Sequence, residues 1–426
     1  MNRLTNRLTL VSAAALAALL AAPAAPAQTR RAPAQPPAQP TTGPVATYWM
    51  STTMESGLPG LGAGVGGAGG GGMGNIMAMM SGGGDGVNKT LHLELQSSRQ
   101  IASPSAFHTA PPELGVRAPL PLRTSPPSGR PERRPDEPGE TPDFGRVRLL
   151  VYSGCGAATK PGQPMVIDIA REGITGLGRL NSALTFNAAI GPMPGANRTY
   201  GDWPHGDNRE RIGPNASLVG THTIRGNYSP DIDVTLSPQQ DFMEALQLTG
   251  TAPGDPSGLG WNALQNARGY FASTMGSAEN GDVVIWSSSE TPVFPYMMPT
   301  YLTDGDLTRF LRDRTLLPPE TTQCRIPDAV QQAAPESMLK VQAFGGDVDF
   351  SYPPRPADRR QPWNIDYVVK VRYASSTTTV MGMDLSEMGG EGARNDQQPR
   401  GLPIPTNAGD AARSVLRGLG GLRRRN

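Results

Sequence analysis

The chain has 426 residues, of which 52 are Gly and 43 are Pro, while 37% are hydrophobic and 6% aromatic. This composition excludes a compact domain over the whole length, a helical bundle and a coiled coil. The formal net charge is +1, and no apolar run of about 20 residues follows the N-terminal region. Neither a general attraction to nucleic acid nor a multi-span helical membrane protein is therefore expected.

The first 27 residues have the pattern of an export signal. Arg3 and Arg7 precede an apolar run from Leu8 to Ala22, and Ala25-Pro26-Ala27 supplies the small residues that a signal peptidase reads. The alternative is an N-terminal membrane anchor, for which the run is short. We therefore expect Sec-type export in a bacterium, to the periplasm or outside the cell, with no transmembrane span once the signal is removed.

One low-complexity segment is predicted between the signal and the first β-rich region. Residues 28–88 form one Pro- and Gly-rich segment, in which 46–53 is predicted to be an isolated strand. A β-rich region then covers 89–226. Inside it, residues 90–97 alternate between Leu and polar residues, which predicts a half-buried strand, and 103–143 is predicted to be a long, exposed, Pro/Arg-rich loop.

Short strand patterns separated by Gly and Pro turns recur after residue 146. The predicted strands cover 147–153, 165–170, 184–190, 218–225, 232–236, 283–287, two strands about Gly345-Gly346 within 338–352, and 367–373. Helices are predicted at 303–312, with Thr303 or Asp304 as the N-cap, and as a short turn at 238–246.

The aromatic residues indicate where the folded body lies. Of the 24 Phe, Trp and Tyr residues, 21 fall between Phe144 and Tyr373, and only Tyr48, Trp49 and Phe107 lie outside. Large rings supply much of the buried area of a core. The predicted fold class is mainly β, with one or two antiparallel β-sandwich-like units and long Gly/Pro-rich disordered segments.

One segment carries a family resemblance. Residues 258–273 place Trp261 and Tyr270 on consecutive strands across a short Ala/Gly-containing loop. This resembles bacterial fibronectin type III domains, in which a Trp and a Tyr at such positions both enter the core. The resemblance covers roughly residues 229–353, and no family is identified for the rest of the chain.

The resemblance implies a β-sandwich and a role in binding or architecture rather than catalysis. Trp286, at the end of the next predicted strand, is a third core marker beside Trp261 and Tyr270. The sandwich with extra strands is predicted to occupy 227–385, followed by a flexible basic tail at 386–426.

Only two cysteines occur, Cys155 and Cys324. In an oxidising compartment a single disulfide is the expected state. The alternative is two separated thiols, since the sequence alone does not place the two sulfur atoms within bonding distance.

Chemical motifs are sparse. The densest polar cluster is Asp202, Trp203, His205 and Asp207, where a carboxylate–imidazole site is one interpretation and an exposed Gly/Pro loop the other. Cys155 with His222 as its base is the second candidate. No catalytic, cofactor-binding or metal-binding residue is assigned, and no cofactor is expected.

These observations favour a non-enzymatic exported protein with a binding or structural role in the cell envelope, or outside the cell. The expected partners are envelope proteins or polysaccharide, and not nucleic acid. The alternative is a periplasmic hydrolase or metal-handling protein that uses Cys155 with His222, or Asp202, His205 and Asp207.

Overall fold

The computed structural model describes residues 39–57, 87–124, 148–181, 184, 191–205, 210–251 and 258–381. Within these ranges the chain is mainly β, as predicted. The predicted signal peptide, the basic tail and Asp207 lie outside the described residues.

The strands of the described residues, in chain order, are β1 Thr41–Thr42, β2 Ala46–Gly57, β3 Asn88–Ser97, β4 Ala106–Thr109, β5 Leu120–Leu122, β6 Arg148–Ser153, β7 Met165–Asp168, β8 Thr199–Trp203, β9 Gly220–Gly226, β10 Ile232–Leu236, β11 Leu248–Thr249, β12 Leu259–Trp261, β13 Gly269–Ser277, β14 Val283–Ser287, β15 Gln323–Cys324, β16 Ser337–Tyr352, β17 Trp363–Asn364 and β18 Tyr367–Met381.

Helices are short and few within the described ranges. They are α1 Ile169–Glu172, α2 Gly178–Asn181, α3 Asp304–Arg312 and α4 Asp328–Ala333, with 3-10 turns at Pro112–Leu114, Gly173–Leu177, Pro238–Gln240 and Pro295–Met297. The helix predicted at 303–312 is confirmed as α3. Its N-cap is Thr303, whose hydroxyl oxygen accepts a hydrogen bond from the Asp306 amide at 3.1 Å. The turn predicted at 238–246 is limited to three residues in 3-10 conformation.

Nine strands form one large sheet in the order β7-β6-β14-β13-β16-β18-β2-β3-β8. Neighbours are antiparallel except β6 with β14 and β2 with β18, which are parallel. The sequence predicts two strands about Gly345-Gly346, but β16 is continuous there, with a register shift between Phe344 and Gly346. Gly346 has a φ of +78°, so it absorbs the extra residue of a bulge without ending the pairing.

A four-stranded sheet, in the order β10-β9-β4-β5, packs on one face of the large sheet. A single apolar cluster joins Met50 and Leu93 of the large sheet to Leu122 and Ile224 of the smaller one. Strands β4 and β5 lie inside the segment predicted as the long exposed loop 103–143. They were not predicted because both strands are short, and β4 lies between Pro104 and Pro111 while β5 contains Pro121.

A three-stranded sheet, in the order β11-β12-β15, packs on the same face of the large sheet, beside the first. Trp261 of β12 and Tyr270 of β13 are 5% and 0% exposed, and their ring centroids are 5.6 Å apart. Trp286 of β14 is also fully buried. The three core markers therefore lie in the interior between these layers.

Strand β2 is an interior strand of the large sheet. It pairs with β18 on one side and β3 on the other, so the strand predicted at 46–53 extends to Gly57 and is not isolated. Tyr48 and Trp49 are 0% and 4% exposed. The folded body therefore extends into the N-terminal segment, although most aromatic residues lie between Phe144 and Tyr373.

Helical segments and loops cover much of the other face of the large sheet. Phe271 and Phe344 pack there against Leu307 and Phe310 of α3. Farther along, Leu177 and Leu180 cover Leu149 and Ile285. Side chains on both faces of the central strands are consequently buried.

Candidate functional site

A row of polar side chains crosses the covered face of the large sheet. In β3, Leu91, Leu93 and Leu95 belong to the main apolar cluster. Strand side chains alternate between faces, so Glu94 points to the opposite side. Glu94 is 1% exposed, whereas His92 and Gln96 on the same face are half-buried, so the face predicted to be exposed is covered by protein at Glu94.

Arg372 of β18 is the cation of this row. Its guanidinium carbon lies 4.2 Å from the ring centroid of Trp49 and 4.5 Å from that of Tyr301. Its Nε and Nη2 donate to Ser51 Oγ at 3.0 and 2.6 Å. Its Nη2 is 4.0 Å from Glu94 Oε2, and both side chains are 2% exposed. Aromatic faces, a hydroxyl and a carboxylate thus replace the water that this charge loses.

Tyr200 connects the two carboxylates of the row. Its hydroxyl lies 3.1 Å from Glu94 Oε1 and 3.3 Å from Asp202 Oδ2. Asp202 stands opposite Glu94 in the pairing of β3 with β8. One phenol therefore bridges two buried acids, an arrangement able to hold or pass a proton.

Asp202 also lies close to His205, another residue of the polar cluster in the sequence. Asp202 Oδ1 lies 3.5 Å from His205 Nδ1, and His205 Nε2 accepts a hydrogen bond from the Arg123 amide at 3.1 Å. Because Nε2 accepts, the proton of a neutral ring sits on Nδ1 and faces the carboxylate. Trp203 does not join them, since its side chain enters the main apolar cluster.

Lys340 lies on the same face of the sheet, on β16. It is paired with Thr378 of β18. Thr378 and Arg372 are an even number of residues apart on β18, so they point to the same face of the sheet, and Lys340 shares that face. Burial lowers the pKa of Lys340, and the charge of Glu55 acts in the opposite direction. The row thus contains acids, bases and cations, of which Glu94, Asp202 and Arg372 are buried and His205 and Lys340 are half-buried.

The second candidate pair, Cys155 with His222, is not formed. Cys155 is bonded to Cys324, with their Cα atoms 5.2 Å apart, and the described residues contain no free thiol. Both ring nitrogens of His222 are engaged, one with His108 and one with the Leu218 carbonyl. A nucleophilic role for Cys155 would therefore require the disulfide to open.

An exposed aromatic surface lies at the end of the β16–β18 hairpin. Tyr352, the last residue of β16, is 53% exposed and stacks on Tyr367, with ring centroids 5.4 Å apart and an interplanar angle of 13°. Burial raises the pKa of Tyr367, whose hydroxyl donates to the Asp233 carbonyl at 3.4 Å. The Tyr367 ring is thus held in place by this hydrogen bond, while Tyr352, which stacks on it, is exposed to solvent.

Trp363 and three arginines continue this surface, which we call the hairpin tip. The guanidinium of Arg355 lies 5.1 Å from the ring centroid of Trp363, whose indole N–H donates to Pro353 O at 3.0 Å. Arg355, Arg359 and Arg360 are exposed. The hairpin tip was not predicted from the sequence. The feature that could have indicated it is the clustering of Tyr, Pro, Arg and Trp in 352–363 between two strong strand patterns.

The residues that the structure describes contain no group of three or more His, Cys, Asp or Glu side chains able to hold a metal ion. No helix among them is long and apolar enough to cross a membrane.

Comparisons with family models, curated proteins and solved structures found no match to this chain.

Proposed function

We propose that this protein is exported and acts as a non-enzymatic binding protein of the cell envelope, with an acidic polysaccharide bound at the hairpin tip. The observation that carries the proposal is the exposed Tyr352 ring, stacked on Tyr367 beside the Arg355–Trp363 pair. A sugar ring packs its C–H face on an exposed aromatic ring, and guanidinium groups bind carboxylate or sulfate with paired hydrogen bonds. Acidic polysaccharide offers both features.

A fibronectin type III-like sandwich is the second part of this proposal. Strand β12, which carries Trp261, pairs antiparallel with β11 and β15, while β13, which carries Tyr270, pairs antiparallel with β14 and β16. The two rings meet between those sheets. This arrangement supports an antiparallel sandwich in 248–381, extended beyond the family pattern by the parallel pairings of β6 and β2.

The covered polar row favours a binding role over the hydrolase alternative. Glu94 and Asp202 are 1% and 9% exposed, and their carboxylates share the single hydroxyl of Tyr200. A hydrolase presents its carboxylates to substrate in a cleft. Here the charges face one another inside the fold, where they specify which strands pair.

The test is affinity electrophoresis of the full mature chain in gels with alginate, an acidic polysaccharide, or dextran, a neutral one. We expect retardation by alginate, and loss of about tenfold in affinity for Tyr352→Ala, equivalent to about 1.4 kcal/mol. Arg355→Gln should weaken binding and reduce its salt dependence.

Phe107→Ala is the matched control, because Phe107 is another exposed aromatic residue, 43% exposed, on the four-stranded sheet. It should leave binding unchanged. Equal losses in the Phe107 and Tyr352 variants would refute the hairpin tip as the binding surface, and retardation by neither polymer would refute polysaccharide binding.

A further inference from the structure

Three fully buried rings form a hydrogen-bonded chain between the two main sheets. Tyr48 lies on β2 of the large sheet, and His108 and His222 lie on β4 and β9 of the four-stranded sheet; His108 and His222 are both 0% exposed. The Tyr48 hydroxyl is bonded to His108 Nδ1, His108 Nε2 lies 3.0 Å from His222 Nδ1, and His222 Nε2 lies 2.7 Å from Leu218 O. The chain is a polar link between the two sheets, beside the bond from the Tyr367 hydroxyl of β18 to Asp233 O of β10.

The carbonyl at its end fixes the direction of every bond. Leu218 O can only accept, so His222 Nε2 carries a proton and, in the neutral ring, Nδ1 accepts. His108 Nε2 must then donate to that nitrogen, which leaves His108 Nδ1 as the acceptor for the Tyr48 hydroxyl. All donors and acceptors are used when both imidazoles are neutral.

An added proton leaves one group of the chain without its partner. On His222 Nδ1, the added proton would face the N–H of His108 across 3.0 Å. On His108 Nδ1, it would reverse the bond to Tyr48, whose oxygen would then accept and whose hydroxyl proton would lose its acceptor. Either addition also places a positive charge in the core without a carboxylate bonded to it.

The surroundings do not stabilise an imidazolium. No carboxylate in the described part of the chain hydrogen-bonds either ring. The titratable and charged groups on the elements packed around the pair include the phenols of Tyr48, Tyr228, Tyr367 and Tyr373 and the side chains of Lys89, Asp202, Arg225, Asp233 and Asp241. The four phenols are neutral with pKa values raised by burial, Asp241 binds the Leu218 amide, and Lys89 donates to Ala216 O.

We propose that the Tyr48–His108–His222 chain is an acid-sensitive latch between the sheets. At acidic pH the two histidines bind protons once the hydrogen bonds of the chain have broken, and the four-stranded sheet then loosens from β2. The backbone bonds between Arg123 and Asp202 join the β5 edge to β8 independently of the histidines. Opening is therefore local, and the three-stranded sheet and the β13–β16 pair remain packed.

The sign of the pH effect follows from where the protons bind. Burial lowers the pKa of His108 well below its ordinary 6.5, and the neighbouring His222 lowers it further. Burial also lowers the pKa of His222, partly offset by its bond to Leu218. The open form thus binds more protons than the closed form below pH 6.5. The closed form is fully favoured above that pH, and the opening constant rises up to tenfold per pH unit for each histidine as the pH falls towards the closed-state pKa values.

Hydrogen–deuterium exchange of the full chain between pH 8 and pH 5, corrected for intrinsic exchange, tests the latch. We expect peptides from β4 and β9 to lose protection progressively below about pH 6.5, while peptides from β13 and β16 keep theirs. Unchanged protection of β4 and β9 down to pH 5 would overturn the proposal. Parallel loss in β13 and β16 would overturn it too, because that is global unfolding.

Two variants assign the response to this pair among the four histidines of the chain. His222→Leu leaves one imidazole, so the dependence should fall to at most tenfold per pH unit. His205→Gln changes a histidine outside the chain of rings and should keep the full response. A full response in the folded His222 variant would contradict the latch. If that variant does not fold, the wild-type and His205 variant profiles decide.

Discussion

Removing the disulfide is the perturbation with the most direct physical consequence. Cys155 follows β6 at one side of the large sheet, and Cys324 is the last residue of β15 in the three-stranded sheet. The bond therefore ties two layers whose strands are far apart in the chain. Replacing both residues with Ala removes this link and introduces no charge.

The magnitude follows from the loop that the bond closes. The sequence separation is 169 residues, for which the chain-entropy relation gives about 5 kcal/mol at 25 °C. Residual structure in the unfolded chain lowers this value, so it is an upper figure. We expect Cys155→Ala/Cys324→Ala to lose about 3–5 kcal/mol of the free energy of unfolding.

Equilibrium unfolding in urea, followed by tryptophan fluorescence, measures this loss. Because the uncrosslinked unfolded chain exposes more surface, the slope of free energy against urea should also increase. Wild-type protein in reductant is the matched control and should unfold like the double variant. A loss below about 1 kcal/mol with an unchanged slope would refute the reasoning, since it would mean that the bond does not restrict the unfolded chain.

Two further substitutions probe the interior. Arg372→Met removes a cation that lies between two rings and within 4.0 Å of Glu94, so we expect the free energy of unfolding in urea to fall by about 3–5 kcal/mol. Arg360→Met, at a side chain 88% exposed, should cause no measurable change in that free energy. Equal effects of the two would contradict the account of Arg372. Tyr270→Phe removes the hydroxyl that accepts from the Leu264 amide at 2.9 Å and leaves that buried N–H unsatisfied. We therefore expect the free energy of unfolding to fall by about 1–3 kcal/mol. An unchanged urea midpoint would show that water replaces the hydroxyl.

Features set by local pattern could be predicted from the sequence. Alternating residues at 232–236 and 367–373 correspond to β10 and to the start of β18, and the Thr303 cap begins α3 where its hydroxyl can bond the third amide of the helix. The burial of Trp261 and Tyr270 also follows, because large rings on consecutive short strands need a common interior. These signals require only neighbouring residues.

Pairing order could not be predicted in the same way. Strand β2 lies beside β18 although Ser51 and Arg372, opposite each other in the pairing, are 321 residues apart. Nothing in the sequence near Ser51 specifies that neighbour. Likewise, the alternation in β3 identifies the apolar face, but whether Glu94 meets water or protein depends on segments that cover it from elsewhere in the chain.

The buried row explains why this long-range pairing is specific. Arg372 belongs to β18, in the C-terminal half of the chain, but its hydroxyl acceptor, one of its stacking rings and its carboxylate come from Ser51, Trp49 and Glu94. An arginine inside a fold is costly unless these groups are supplied together. A β2 register shifted by one residue would turn Ser51 to the other face and withdraw the hydroxyl. The charge thus selects one register and one neighbour for β2, and the same register sets Tyr48, on the opposite face, against His108.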